Sequence, residues 1–275
     1  MLRFDPSQLV RQVNLLTKEN SRVLGRRLYC LQQGDKSYWL KLHVLDGNAE
    51  CAQSFQQELA FYQRFGASLA DFLMPFQLLS PADLAWLSDR TSSPLLLLPH
   101  AQSYWSNPAE LSVQQIAAII RECLDSLEAF HQVGWIHGDL KAEHFVDYQG
   151  QLKLLDFEQA HPLDGRPISA ALSATPRYMA PELFHAQPKS QQSDLYAFGI
   201  ILYEWLTQQR FAARSYQQWA VLHCQRLKVE LPLAFRVFEP VLQGLVAKSL
   251  QQRFTHVGQV KQVLTGINLL KNDHN

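Results

Sequence analysis

Apolar and polar side chains alternate from residue 22 to residue 45 around a Gly34-Asp35 turn, with Leu28 and Cys30 before it and Tyr38, Trp39 and Leu40 after it. A period of two puts successive side chains on opposite faces, so this stretch predicts antiparallel strands. From residue 49 to 65 the period lengthens: Phe55, Leu59, Tyr62 and Phe65 fall on one helix face, and Gly66 follows as a stop. Pro94 introduces a buried strand, Leu95 to Leu98, and Pro99 ends it. The next residues, His100 to Pro108, carry a Ser-Asn-Pro turn and read as a hinge or lobe boundary.

The clearest helix begins after Ser112, where Ile116, Ile119, Ile120, Cys123, Leu124, Leu127 and Phe130 follow the i, i+3, i+4, i+7 rule. Two short strands, Phe145 to Tyr148 and Gln151 to Leu155, flank Gln149-Gly150, and the apolar segments beyond residue 190 are helical. The longest apolar run, Leu195 to Leu206, contains Glu204 and is too short for the roughly 20 residues of a bilayer-spanning helix, so it predicts a buried core helix. No internal repeat or low-complexity tract interrupts the pattern.

A length of 275 residues suffices for one large core or two modest ones. Acidic and basic residues balance at 25 each, so no net field draws the chain toward nucleic acid or an anionic membrane. Cys30, Cys51, Cys123 and Cys224 are too dispersed for a zinc ligand set or a disulfide framework and read as reduced thiols of a cytoplasmic protein. Asp5 and Pro6 break the N-terminal apolar run that an export signal requires.

The chemistry gathers in four ordered motifs. His137-Gly138-Asp139-Leu140-Lys141 resembles the catalytic loop of protein kinases, usually H-R-D-L-K-x-x-N. The resemblance implies that Asp139 orients the acceptor hydroxyl and takes its proton, while Lys141 steadies the transferred phosphoryl group. Asp156-Phe157 follows at the spacing of that family's metal-binding turn, and a hard carboxylate beside nucleotide phosphates is what Mg²⁺ needs. Thr175 to Glu182, then Asp194 and Gly199, then Arg253 match the remaining landmarks: a glutamate paired with a late arginine, and an aspartate that braces the catalytic loop. Lys41 sits where the family's strand lysine holds the ATP phosphates, with Glu58 as its expected ion-pair partner and Glu50 as a rival near the helix start. The likeness extends from about residue 22 to 265.

Departures from the pattern bear on nucleotide and metal. The glycine-rich loop is absent, with only Gly25 left between Asn20 and Tyr29. Trp39 replaces a small residue on the strand face of Lys41, where it can stack on adenine, fill the pocket or pack as a core side chain. His144 stands at the second metal position in place of asparagine. An imidazole suits softer ions better than Mg²⁺, and a hydrogen bond to Asp156 or the loop is its other use. Glu158 replaces the glycine of the metal turn and reads as a solvated acid, with a compensating carboxylate as the alternative. Gly138 replaces the arginine that reads a phosphorylated activation segment, which argues against that route of control.

The expected fold is therefore α+β and two-lobed like a protein kinase. A small antiparallel-sheet lobe spans residues 1–99 and a larger, mainly helical lobe spans 100–275, with ATP and Mg²⁺ between them and Phe157, His137 and Tyr62 stacked as an apolar spine. The expected activity is ATP-dependent phosphorylation of protein serine or threonine, which Lys141 and Thr175 favour over tyrosine. Two alternatives stand. The texture around His144 and Asp156 also resembles lipopolysaccharide-core kinases, whose acceptor would be a cell-envelope glycolipid, and the degraded glycine loop fits a pseudokinase serving as a binding module.

Overall fold

The computed structural model describes residues 4–8, 12–66, 70–87, 91, 93–165 and 174–269. They form two compact units: the described residues up to Gln102 with Asp147–Glu158, and Ser103–Val146 with the described residues from Gln159 onward.

The first unit is built on an antiparallel sheet of β1 (Gln12–Leu15), β2 (Arg26–Gln33), β3 (Lys36–His43), β4 (Gln77–Leu79) and β5 (Leu95–Pro99), in the order β1-β2-β3-β5-β4. The period of two in β3 divides its side chains cleanly. Tyr38, Leu40 and Leu42 enter a core with Leu31, Leu79, Leu95 and Leu97, which leaves Trp39 and Lys41 together on the opposite face. Helix α2 (Ala49–Gly66) buries Phe55, Glu58, Leu59, Phe61, Tyr62 and Phe65.

Two differences from the sequence expectation concern the start of this sheet. Strand β1 is only four residues long, too short to declare a period. Residues 22–25 are not strand: a short helix α1 (Glu19–Val23) precedes a turn at Gly25. Gly25 has φ of 92°, and a Cβ there would stand 2.6 Å from the Gly47 Cα and 2.7 Å from the His43 ring. This remaining glycine is thus required for chain packing around His43.

Asp147–Glu158, which the expected boundary at residue 99 places in the larger lobe, packs with the first unit. Strand Gln151–Leu154 is held there by Leu154 N–H donating to the Phe72 carbonyl at 2.8 Å and by Lys153 Nζ donating to the Asp71 carbonyl at 2.6 Å. Long-range bonds of this kind to backbone carbonyls leave no local sequence signal.

The second unit is mainly helical. Helix α3 (Val113–Gln132) opens with a reciprocal capping box between Ser112 and Gln115. Helix α4 (Gln191–Thr207) is apolar nearly all round and buried over most of its length, as its unbroken hydrophobic run demands. Helices α5 (Tyr216–Val221), α6 (Glu239–Leu245) and α7 (Val257–Leu269) follow; α3 packs on α7, and α4 on α6. A two-stranded antiparallel ladder pairs Trp135–Ile136 with His161–Pro162. Among the described residues no helix is long and apolar enough to cross a membrane.

Candidate active site

The charged centre of the first unit is the Lys41 ammonium. Its Nζ lies 2.6 Å from Glu58 Oε2, 2.8 Å from Asp156 Oδ1 and 2.8 Å from Glu158 Oε1. Glu50 is exposed, whereas Glu58 lies one helical face further on and is buried. The helix register therefore selects Glu58 as the partner. Burial works against the ammonium, but Asp156, Glu158 and Glu58 outweigh it and hold the Lys41 pKa well above its ordinary value. Burial also raises the Glu58 pKa; Lys41 opposes the rise, and Asp156 and Glu158 reinforce it.

Asp156 is oriented by its neighbours. Its φ of 65° is in the left-handed region, which aspartate tolerates better than most residues. The next ring, Phe157, is buried and stacks on Phe61 at 4.4 Å and edge-on to Tyr62 at 5.5 Å. Its backbone N–H donates to Glu58 Oε1 at 3.1 Å, so one glutamate holds both the lysine and the turn.

Glu158 is not a solvated acid. It is 5% exposed and pairs with Arg26 Nη2 at 2.5 Å as well as with Lys41. Burial of a carboxylate without cations would be prohibitive, and here two cations converge on it. Arg26, at the start of β2, offers no motif by which the sequence could have pointed to this role. Glu58, Asp156 and Glu158 each offer an oxygen within 4.8 Å of the others and form a group that could hold a metal ion. This hard-oxygen donor set fits Mg²⁺.

Trp39 lies on the face of Lys41, partly exposed, with its ring 4.8 Å from that of His100.

In the second unit Asp139 accepts the Thr175 backbone N–H at 2.8 Å, and its other oxygen is 2.8 Å from Lys141 Nζ. Behind the loop, buried Asp194 accepts the backbone N–H groups of His137 at 2.8 Å and Gly138 at 2.9 Å, and His131 Nε2 lies 3.0 Å away. Burial disfavours this carboxylate, yet His131, His137 and the Gly138 amide together hold its pKa below the ordinary range. His131 sits in the last turn of α3, just ahead of the His137 loop but outside its motif, and only the fold brings it onto Asp194.

His144 is buried and its ring stacks on His137 at 5.4 Å, while His137 in turn lies 5.8 Å from Phe130. Glu182 and Arg253 make a bidentate pair at 2.7 and 2.9 Å, with both side chains buried and the guanidinium 4.8 Å from the Tyr196 ring. Thr175 and Asp194 thus fix the loop that carries Asp139, while the Glu182–Arg253 pair is tied to α4 through the Gln192 carbonyl.

Comparison with known proteins agrees with this geometry. A model described as protein kinase domain matches residues 98–264, and one described as phosphotransferase enzyme family matches residues 22–164. The probable serine/threonine-protein kinase PknB of Lactococcus lactis is 31% identical over 170 residues, covering 58% of this chain and 27% of the relative. Serine/threonine-protein kinase TIO of Arabidopsis thaliana is 32% identical over 149 residues, 53% of this chain and 11% of the relative. The cAMP-dependent protein kinase catalytic subunit 2 of Drosophila melanogaster is 37% identical over 82 residues, 30% of this chain and 23% of the relative. In each case the matched stretch spans less than a third of the relative's own length.

Proposed function

The chain belongs to the protein kinase superfamily, and from that premise we propose that it transfers the γ-phosphoryl group of ATP to serine or threonine hydroxyls of a protein. The observation that carries the reading is Lys41 in simultaneous contact with Glu58 and Asp156, a cation aimed by one carboxylate at the carboxylate of the metal turn.

In this mechanism Lys41, which is paired with Asp156 at rest, holds phosphate oxygens of the nucleotide, and Asp156 is the carboxylate that would hold a divalent ion. A bound divalent ion supplies neutralisation of phosphate charge, and Asp156 would hold it, with His144 as the second candidate ligand and Glu158 within reach of the same group. Trp39, on the face of Lys41, offers its ring to the nucleotide base. Asp139 orients the acceptor hydroxyl and receives its proton as the new oxygen–phosphorus bond forms and the bond to ADP breaks. Lys141 stabilises the charge on the moving phosphoryl group. Positioning and electrostatics carry nearly all of such a reaction.

A glycolipid or sugar acceptor is the second reading, favoured by the texture around His144 and Asp156 that resembles lipopolysaccharide-core kinases. Labelled ATP with the purified protein, offered protein and cell-envelope glycolipid acceptors, separates the two. Asp139→Asn keeps the shape but removes the proton acceptor and is expected to cost roughly 10²- to 10⁴-fold in kcat. Asp156→Asn should abolish metal-dependent transfer. Equal background from the parent and both variants on every acceptor would leave a pseudokinase, a nucleotide-stabilised binding module, as the function.

A further inference from the structure

Lys189 occupies a costly position. It is 8% exposed and directly precedes Ser190, the N-cap of the 17-residue helix α4. Burial lowers the pKa of its ammonium, and the positive end of a helix dipole disfavours a cation as well. Asp139 and Asp194 act in the other direction, while Lys141 adds to the cost. A lysine kept there against burial, dipole and a like charge calls for a compensating role.

Gly138 makes the room. A Cβ at that position would stand 2.8 Å from the carbonyl oxygen of Gln159, 3.0 Å from Lys189 Cδ and 3.4 Å from Lys189 Nζ, and the backbone has φ of 76°. The lysine stem therefore lies against the backbone between His137 and Asp139. Its Nζ donates to Gln159 Oε1 at 3.2 Å, which ties it to the residue that follows Glu158 in the chain.

We propose that Lys189 is a positioning residue for phosphoryl transfer: reaching in through the gap left by Gly138, it supplies a fixed positive charge beside Asp139 and anchors Gln159, holding the loop in its working geometry. The inference rests on the reading of Asp139 as the hydroxyl-orienting carboxylate. It also explains the glycine at position 138. The arginine expected there from the motif is missing, and a cation returns to the same neighbourhood from a different element. This charge is answered by two carboxylates of the chain itself and needs no added phosphate to neutralise it.

The test compares Lys189→Met with Lys189→Arg, measuring kcat, the ATP KM and the affinity for a fluorescent nucleotide without acceptor. Loss of positioning predicts a roughly 10- to 100-fold fall in kcat for Lys189→Met with nucleotide affinity and KM within about twofold, and partial recovery in Lys189→Arg. A purely structural lysine would lower the unfolding midpoint while leaving the kcat of the folded protein at the parental value, which would overturn the proposal. So would a Lys189→Arg protein no better than Lys189→Met. If Lys189→Met does not fold, Lys189→Gln, which retains a donor for Gln159 without the charge, is read by the same two outcomes. If the parent itself transfers no phosphate, the underlying reading fails separately. Hydrogen exchange at the His137, Gly138 and Thr175 amides then decides: faster exchange in Lys189→Met supports positioning of the loop, and unchanged exchange overturns it.

Discussion

Two charged centres among the described residues, one in each unit, are held in different ways. In the first unit Lys41 faces Glu58, Asp156 and Glu158, and Arg26 closes on Glu158, so side-chain charges answer one another. In the second unit Asp194 accepts two backbone N–H groups, Asp139 accepts one beside its contact with Lys141, and Glu182 is clamped by a fully buried guanidinium. Backbone donors cannot leave without unfolding the loop that carries them. Side-chain pairs can trade partners when phosphates and a metal arrive. The first centre is thus suited to exchange of partners, and the backbone-held loop of the second to permanence.

Arg253→Ala puts the permanent half to its hardest test. It strands Glu182 in a buried site and should destabilise by roughly 3 to 5 kcal/mol, seen as a large drop in the midpoint of chemical unfolding. A midpoint near that of the parent would remove this pair from the scaffold.

Acid titration should then show contrary signs in the two units. Buried His223, whose Nδ1 faces the Tyr196 hydroxyl at 2.9 Å, has its pKa lowered by burial from 6.5 to about 4. The unfolded chain binds that proton more readily, so this contribution is present above pH 6.5 and is lost as pH falls toward 4, on the order of 3 kcal/mol. Glu58 has a raised pKa, so its contribution is present below the ordinary carboxylate range and fades as pH rises toward neutrality. Unfolding of His223→Gln and Glu58→Gln measured across pH should flatten the acid-side fall in the first case and the neutral-side fall in the second. Two slopes of the same sign would contradict the contrast.

Trp39→Ala should weaken ATP binding by about 1 kcal/mol, the low end of base–aromatic stacking, in a nucleotide titration. Tighter binding would instead identify the ring as an obstruction. The smallest effect is expected in the exchangeable pair: Arg26→Ala should cost at most about 1 kcal/mol, because Arg26 is about a third exposed and Glu158 keeps Lys41. A loss as large as that of Arg253→Ala would make both centres equally rigid.

Periodicity by itself was enough to show β3, α2, α3 and the buried run of α4, because each carries its apolar stripe within one continuous segment. The resemblance of the ordered motifs to those of protein kinases likewise marked Lys41, Glu58, Asp139, Asp156, Asp194 and the Glu182–Arg253 pair. Tertiary structure alone decided the rest. Glu158 is buried because Arg26 and Lys41 reach it from other strands, Asp147–Glu158 belongs with the first unit through the Leu154 amide on the Phe72 carbonyl and the Lys153 ammonium on the Asp71 carbonyl, and Lys189 meets Gly138 across some fifty residues of chain. Local pattern records which face a side chain takes on its own element. Only packing brings distant cations to a carboxylate, and in a low-dielectric interior that meeting sets whether the group can be buried and charged at all.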